Sequence, residues 1–234
     1  QDKSLLIERM FGVGAHFGYS RSRRHPSTTP FIFGAKNRVE ILDLEKTSEQ
    51  LQAAKEFVRE LAKSGKMMLF VSGKHEARKA LIEGAQNASA PFVAGRWIGG
   101  TMTNFSEIKK RIERLEELTE GRKSGKFEKH TKLERLMIDR EIEGLRAMFE
   151  GLLPLKQLPG ALFAVDAGHE AVAVAEAKKM RIPIVALLNS DCDMRGIAYP
   201  IVANDAAPPS ITFFVDEIAA AYKEGALERV RMTN

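Results

Sequence analysis

The apolar positions of the chain follow two rhythms. Five stretches carry apolar residues on consecutive positions: KMMLFVSG (Lys66–Gly73), PFVAG (Pro91–Gly95), ALFAVD (Ala161–Asp166), IPIVALLN (Ile182–Asn189) and YPIVAN (Tyr199–Asn204). A strand covered on both faces must be apolar on both, so these predict buried strands of one sheet. Amphipathic patterns between them predict helices over about Ser48–Ser64, Lys74–Asn87, His169–Met180 and Ser210–Glu224. Strand and helix in alternation predict an α/β fold with a parallel sheet and right-handed crossovers. The strands end in polar or glycine residues (Ser72–Gly73, Gly95, Asp166, Asn189–Ser190), and the carboxyl edge of such a sheet is its usual ligand edge.

Two segments break the pattern. The stretch up to about Leu44 is rich in Gly, Arg, Phe and Pro, and FIFGAKNRVEILDL within it predicts a hairpin or extended arm packed on the domain. From Asn104 to Leu152, apolar residues recur at Ile108, Ile112 and Leu115, and again at Ile138, Ile142, Leu145, Phe149 and Leu152. That is a narrow seam with charged residues on the other faces. The polar stretch EGRKSGKFEKHTK between the halves turns the chain, which predicts a protruding antiparallel coiled-coil hairpin. The expected division is an α/β domain over 1–103 and 153–234, with its N-terminal arm, interrupted by a helical hairpin over 104–152.

Composition changes this picture little. The 234 residues are 44% apolar and 29% charged, ordinary for a globular protein, and the formal net charge is +5. Where the cations cluster matters more than their sum. A single cysteine, Cys192, allows no internal disulfide, and no apolar run is long enough to cross a bilayer. The N-terminus lacks the apolar stretch of a secretory signal, so the expected compartment is the cytosol.

The candidate chemistry begins with GRWIGGTMTNF (Gly95–Phe105), which holds the only tryptophan and leads into a charged helix. It matches neither G-x-x-x-x-G-K-[ST] nor G-x-G-x-x-G. A phosphate cradle, a structural joint with Asn104 or Thr103 capping the helix, and a loop touching an RNA backbone all remain open. In AHFGYSRSRRHP (Ala15–Pro26), Arg21, Arg23, Arg24 and His25 lie close together, and Lys36 and Arg38 follow, with aromatic and glycine residues interleaved. Arginine forks suit phosphates, so this is either a nucleic-acid contact or a solvated basic loop. Arg122, Lys123, Lys126, Lys129, His130 and Lys132 offer the same two readings at the hairpin tip. Asp166, His169, Glu170, Asp191, Cys192 and Asp193 follow strand ends, but they carry no metal-ligand spacing and no identified base for the thiol. No cofactor and no metal is expected.

Several of these stretches, in one order, resemble the bacterial small-subunit ribosomal protein two family: AHFGYSRSRRHPSTTPFIFGAKNRVEILDLEKT, MLFVSGKHEAR, GRWIGGTMTNF, IPIVALLNSDCD and YPIVANDAAPPSI. Together they span nearly the whole chain. Tyr19 stands where the family commonly has histidine, Asn189–Ser190–Asp191 replaces a more usual Asp-Thr-Asn, and Ala198, Ala203 and Ala206 replace frequent Asp, Gly and Asp. The resemblance implies a Rossmann-like domain with a coiled-coil hairpin. It implies a non-enzymatic role, contacting small-subunit ribosomal RNA and neighbouring ribosomal proteins. In many bacteria members also help dock ribosomal protein one. No membrane or DNA partner is implied. On this reading the RNA contacts expected are Arg21, Arg23, Arg24, Lys36 and Arg38 in the arm, Arg96, Thr101 and Asn104 at the joint, Lys109 and Lys110 at the start of the hairpin, and Arg122, Lys123 and Lys126 at its tip. Trp97 is expected to be a packing anchor. A nucleotide- or sugar-phosphate-binding enzyme on the same fold and a pure protein-interaction scaffold are the alternatives.

Overall fold

The structure, a computed structural model, describes residues 3–233. In chain order the elements are α1 (Lys3–Gly12), β1 (Phe17–Ser20), β2 (Ile32–Lys36), β3 (Val39–Leu42), α2 (Leu44–Lys63), β4 (Met68–Ser72), α3 (His75–Asn87) and β5 (Phe92–Ala94). Then come α4 (Phe105–Lys123), α5 (Lys132–Phe149), β6 (Ala161–Val165), α6 (Ala171–Lys179), β7 (Ile184–Leu188), β8 (Tyr199–Val202) and α7 (Pro208–Thr233).

The five strands predicted from consecutive apolar residues form one parallel sheet in the order β5-β4-β6-β7-β8. Side chains alternate across a strand, so each one feeds two cores. Met68, Phe70, Phe163, Val185 and Leu187 join a core with α2, α3 and α7. Leu69, Val71, Leu162, Ala164, Ala186 and Leu188 join a second core on the other face with α6. That second core also takes in Ile108, Ile112, Leu115 and Leu118 of α4 and Ile142, Leu145 and Phe149 of α5.

The N-terminal segment holds the expected hairpin and adds a helix before it. Residues 3–12 form a helix, which buries only Leu6 and Met10 and so leaves little periodicity to read. The expected hairpin is present as β2–β3, and β1 joins it in a three-stranded antiparallel sheet of order β1-β3-β2. Lys36 pairs with Val39 across a two-residue turn in which Asn37 (φ 53°) and Arg38 (φ 66°) are both left-handed. This is the turn type whose twist matches a hairpin. The hydroxyl of Thr28 (2.7 Å) and the backbone N–H of His25 (2.9 Å) donate to the Ser190 carbonyl, and the Tyr19 N–H donates to the Ser190 hydroxyl (3.0 Å). The arm therefore sits on the carboxyl end of β7.

Two helices start where the sequence supplies side-chain acceptors. Asp43 caps α2 by accepting from the N–H groups of Glu45 and Lys46, and Thr131 and Glu134 form a reciprocal capping box on α5. The last helix runs nine residues past the expected end at Glu224, because its final turns keep helical backbone while Leu227, Val230 and Met232 face outward. Helices α2 and α7 meet at Gly225, where an added β-carbon would overlap the Arg59 carbonyl oxygen. Glycine in a helix is ordinarily a weakness that alanine repairs. Here Gly225→Ala must push two helices apart, and it is expected to lower stability by about 1–3 kcal/mol in urea unfolding.

Candidate nucleic-acid interface

The expected cations divide by what they touch. In the arm, Arg21, Lys36 and Arg38 are exposed. Arg23 lies over the Tyr19 ring, 4.2 Å from its centroid, and reaches Asp191 at 3.2 Å. Arg24 faces inward to Glu40 at 3.3 Å, and that glutamate is buried at 1% exposure. Its role is to neutralise an interior carboxylate. At the joint, Arg96 is exposed, while Thr101 is buried and donates its hydroxyl to the Ile98 carbonyl at 2.6 Å. The Thr101 side chain is thus consumed inside the loop. Asn104 is exposed and precedes α4 without a side-chain cap.

Farther on, Lys109 and Lys110 form exposed pairs with Glu113 (3.8 Å) and Glu107 (2.7 Å), of the kind that contribute little to stability and exchange readily for another anion. Arg122 grips Asp139 with two hydrogen bonds (2.8 and 3.3 Å), tying α4 to α5. Lys123 is exposed and Lys126 lies 3.5 Å from Glu117. Arg114 and Glu141 (3.1 Å) make a second bridge between α4 and α5.

The glycine-rich loop after β5 does bind an anion, and the anion is the protein's own Glu176, on α6. Oε1 accepts from the Trp97 indole N–H (3.0 Å) and the Gly100 N–H (2.7 Å). Oε2 accepts from the Met102 N–H (2.9 Å), the Thr103 N–H (3.0 Å) and the Thr103 hydroxyl (3.1 Å). Gly100 turns at φ 92°, a conformation that only glycine adopts readily. Burial by itself would raise the Glu176 carboxyl, and the donors of Trp97, Thr103, Gly100 and Met102 outweigh it, leaving it below the ordinary range. Glu176 is the residue that reading the sequence missed. Its signal was one acid on the buried side of the alanine- and valine-rich AVAVAEAKK.

The carboxyl edge of the sheet is also filled from within. Lys74 Nζ sits 2.7 Å from Asp166 and 3.4 Å from Asp205, and donates to the Asp205 carbonyl at 3.0 Å. Asp205 accepts from the Asn189 amide (3.3 Å), and burial pushes its carboxyl up to about 6 against the pull of Lys74. Asp166 is strained at φ 64°, and its Oδ1 accepts from the Gly168 and His169 N–H groups, so it fixes the loop after β6. Cys192 is buried, and its thiol is pushed up to about 12 by burial and nearby aspartates, which leaves no thiolate for nucleophilic work. Among the described residues no group of three or more His, Cys, Asp or Glu side chains is placed to hold a metal ion.

The hydrogen bonds to Glu176 set a test. In Glu176→Gln one carboxylate oxygen becomes an NH₂ facing N–H and O–H donors. The variant is expected to lose about 2–4 kcal/mol of stability in denaturant unfolding at pH 7. The depressed folded-state pKa means that this contribution is present above the unfolded carboxyl value and is lost as pH falls through the folded one. The wild type should therefore destabilise more steeply than the variant below about pH 4.5. Parallel pH profiles would refute the role given to this carboxylate.

A family model described as Ribosomal protein S2 matches residues 10–225. The chain is 44% identical over 221 residues to "Small ribosomal subunit protein uS2" of a Nitratiruptor species, an alignment covering 94% of this chain and 83% of that one. It is 43% identical over 225 residues to the protein of the same name from a Roseiflexus species, covering 96% and 86%. The protein of that name from Coprothermobacter proteolyticus is 41% identical over 221 residues, covering 94% and 82%. By the extent of the family match and the identity to these relatives, the chain belongs to the ribosomal protein S2 family.

Proposed function

We propose that the protein is a structural constituent of the small ribosomal subunit, working in the cytoplasm by holding ribosomal RNA and neighbouring subunit proteins in place. Family membership across residues 10–225 carries this reading. Ribosomal protein one is among the neighbours that the family resemblance implies. The site geometry argues against the enzyme alternative, because the glycine loop is closed around Glu176 and the sheet edge around Lys74.

In this reading residues 104–152 act as a coiled-coil hairpin set into an α/β domain formed by 1–103 and 153–234. The buried seam on α4 and α5 and the Arg122–Asp139 and Arg114–Glu141 bridges support it. RNA is met by the cations left at the surface: Arg21, Lys36 and Arg38 on the arm, Arg96 at the joint, and Lys109, Lys110, Lys123 and Lys126 along the hairpin, with the neutral amide of Asn104 also at the joint. Arg23 joins them with its guanidinium stacked on Tyr19. Arg24 and Thr101 support this surface from inside, and Arg122 supports it through its exposed bridge to Asp139.

The division between supporting and contacting residues is testable at the arm. Arg21→Ala and Lys36→Ala are expected to leave the unfolding midpoint nearly unchanged and to weaken co-sedimentation with small subunits depleted of this protein. Removing one phosphate partner should reduce the salt dependence of log K by roughly 0.7–0.9. Arg24→Ala should instead destabilise the fold by about 3–5 kcal/mol, by stranding Glu40. Arg38→Gly relieves a left-handed arginine, so it should bind RNA less well while gaining about 1 kcal/mol of stability. Undiminished incorporation of an Arg21→Ala, Lys36→Ala, Arg38→Gly triple variant would sink the assignment.

A further inference from the structure

The order β5-β4-β6-β7-β8 reverses direction between β4 and β6: β5 lies to one side of β4, and the later strands run out on the other. In open parallel sheets, ligands bind in the crevice outside the carboxyl ends of the two strands that flank such a reversal. Here the loops after β4, β5 and β6 enclose a cleft of about 520 Å³, within the range of small-molecule sites. Arg96, Trp97, His169, Glu170 and Val172 line it, together with glycines that include Gly73 and Gly95.

Each of these groups is held in a way that leaves one function free. The indole N–H of Trp97 is spent on Glu176, so the cleft meets ring carbon. His169 Nδ1 lies 2.7 Å from Oε1 of Glu170, which is buried at 3% exposure and also accepts from the Gly73 N–H at 2.5 Å. This buried acid fixes the imidazole by one nitrogen and leaves Nε2 to a ligand, the His169 side chain being half exposed. A β-carbon on Gly73 would come within 2.8 Å of His169 Cε1, so only glycine permits the ring this position. Arg96 is exposed and unpaired among the described residues. The first turn of α6, which borders the cleft, carries no acidic side chain to satisfy its N–H groups.

We propose that this cleft binds one nucleotide unit, its phosphate against Arg96 and His169 and its base or sugar on the carbon face of Trp97. The proposal rests on the RNA-binding reading above, and the expected source is a single nucleotide of an RNA strand passing the β4–β6 edge. A free mononucleotide offers the same chemistry.

Trp97 is the only tryptophan in the chain, so its emission reports on the cleft directly. The full chain is titrated at constant ionic strength with a six-nucleotide single-stranded RNA, with AMP and with inorganic phosphate. A saturable change in emission with the RNA is expected, its midpoint weakened about tenfold by Arg96→Ala. Val172→Asp, which sets a carboxylate on the exposed first turn of α6, should abolish the change without lowering the thermal unfolding midpoint. Saturation by AMP as well would assign free nucleotides to the site, and saturation by RNA alone would assign the strand. Unchanged emission with all three probes, or midpoints indifferent to both substitutions, overturns the proposal. The same preparations are tested for binding to depleted small subunits. Subunit binding without an emission response removes the cleft and keeps the ribosomal reading, whereas failure of both removes both.

Discussion

Glu176 lies on the buried side of α6, and its carboxylate is the anion around which the segment from Trp97 to Thr103 is folded. This segment takes the chain off the edge strand β5 and aims it into α4. It has no ladder of its own, and buried backbone N–H groups without partners cost about as much as lost hydrogen bonds. One acid supplies the acceptors at once, and in doing so fixes where α4 begins relative to α6. That attachment and the burial of the α4 and α5 seams in the second core together position both helices. A free anion could have played the same part in an enzyme, and here the protein carries the anion covalently.

The same principle governs the sheet edge. In a ligand-binding α/β protein the carboxyl ends of the strands open to solvent. Here the Lys74 ammonium lies between Asp166 and Asp205, and the arm lays Tyr19, His25 and Thr28 onto Ser190. Charges that would serve catalysis if exposed instead neutralise one another under a lid of the protein's own chain. A fold shared with many enzymes thus becomes a platform, which shows why fold alone does not determine function. The stretch of edge near the strand reversal, beside Trp97 and His169, stays open.

The sheet was legible because its strands are buried on both faces, so Met68 and Phe70 could not be polar on one core's account, nor Leu69 and Val71 on the other's. The β2–β3 hairpin was legible from its alternation around a short polar turn. Local pattern failed where tertiary contact decided. Helix α1 buries too few residues to show a period, and α7 continues after its apolar face has stopped being buried. Glu176 could not be recognised because its donors lie more than seventy positions earlier in the chain. Arg21 and Arg24 read alike as members of one basic cluster, and they differ only because Glu40, on another strand, lies beneath Arg24. Thr101 looked like a polar loop residue and is in fact interior.

One surface cation, Arg38, is held at a cost in backbone strain. Left-handed conformations cost a residue with a β-carbon about 1–2 kcal/mol, and among the described residues five non-glycines adopt one. Four of the five have a structural reason. Ser89 and Arg181 lie just beyond the C-terminal ends of helices, where a left-handed residue is the common way to stop. Asn37 is of a type that tolerates the conformation, and Asp166 is held there by Lys74 and two backbone N–H groups. Arg38 has none of these supports: it occupies a turn position that favours glycine, and no hydrogen bond or ion pair among the described residues holds its side chain. Strain that is kept without internal compensation points to a use outside the fold. The guanidinium stands at the tip of a hairpin that is itself anchored to the sheet edge through β1 and Ser190, which is the geometry that supports the phosphate contact proposed for Arg38.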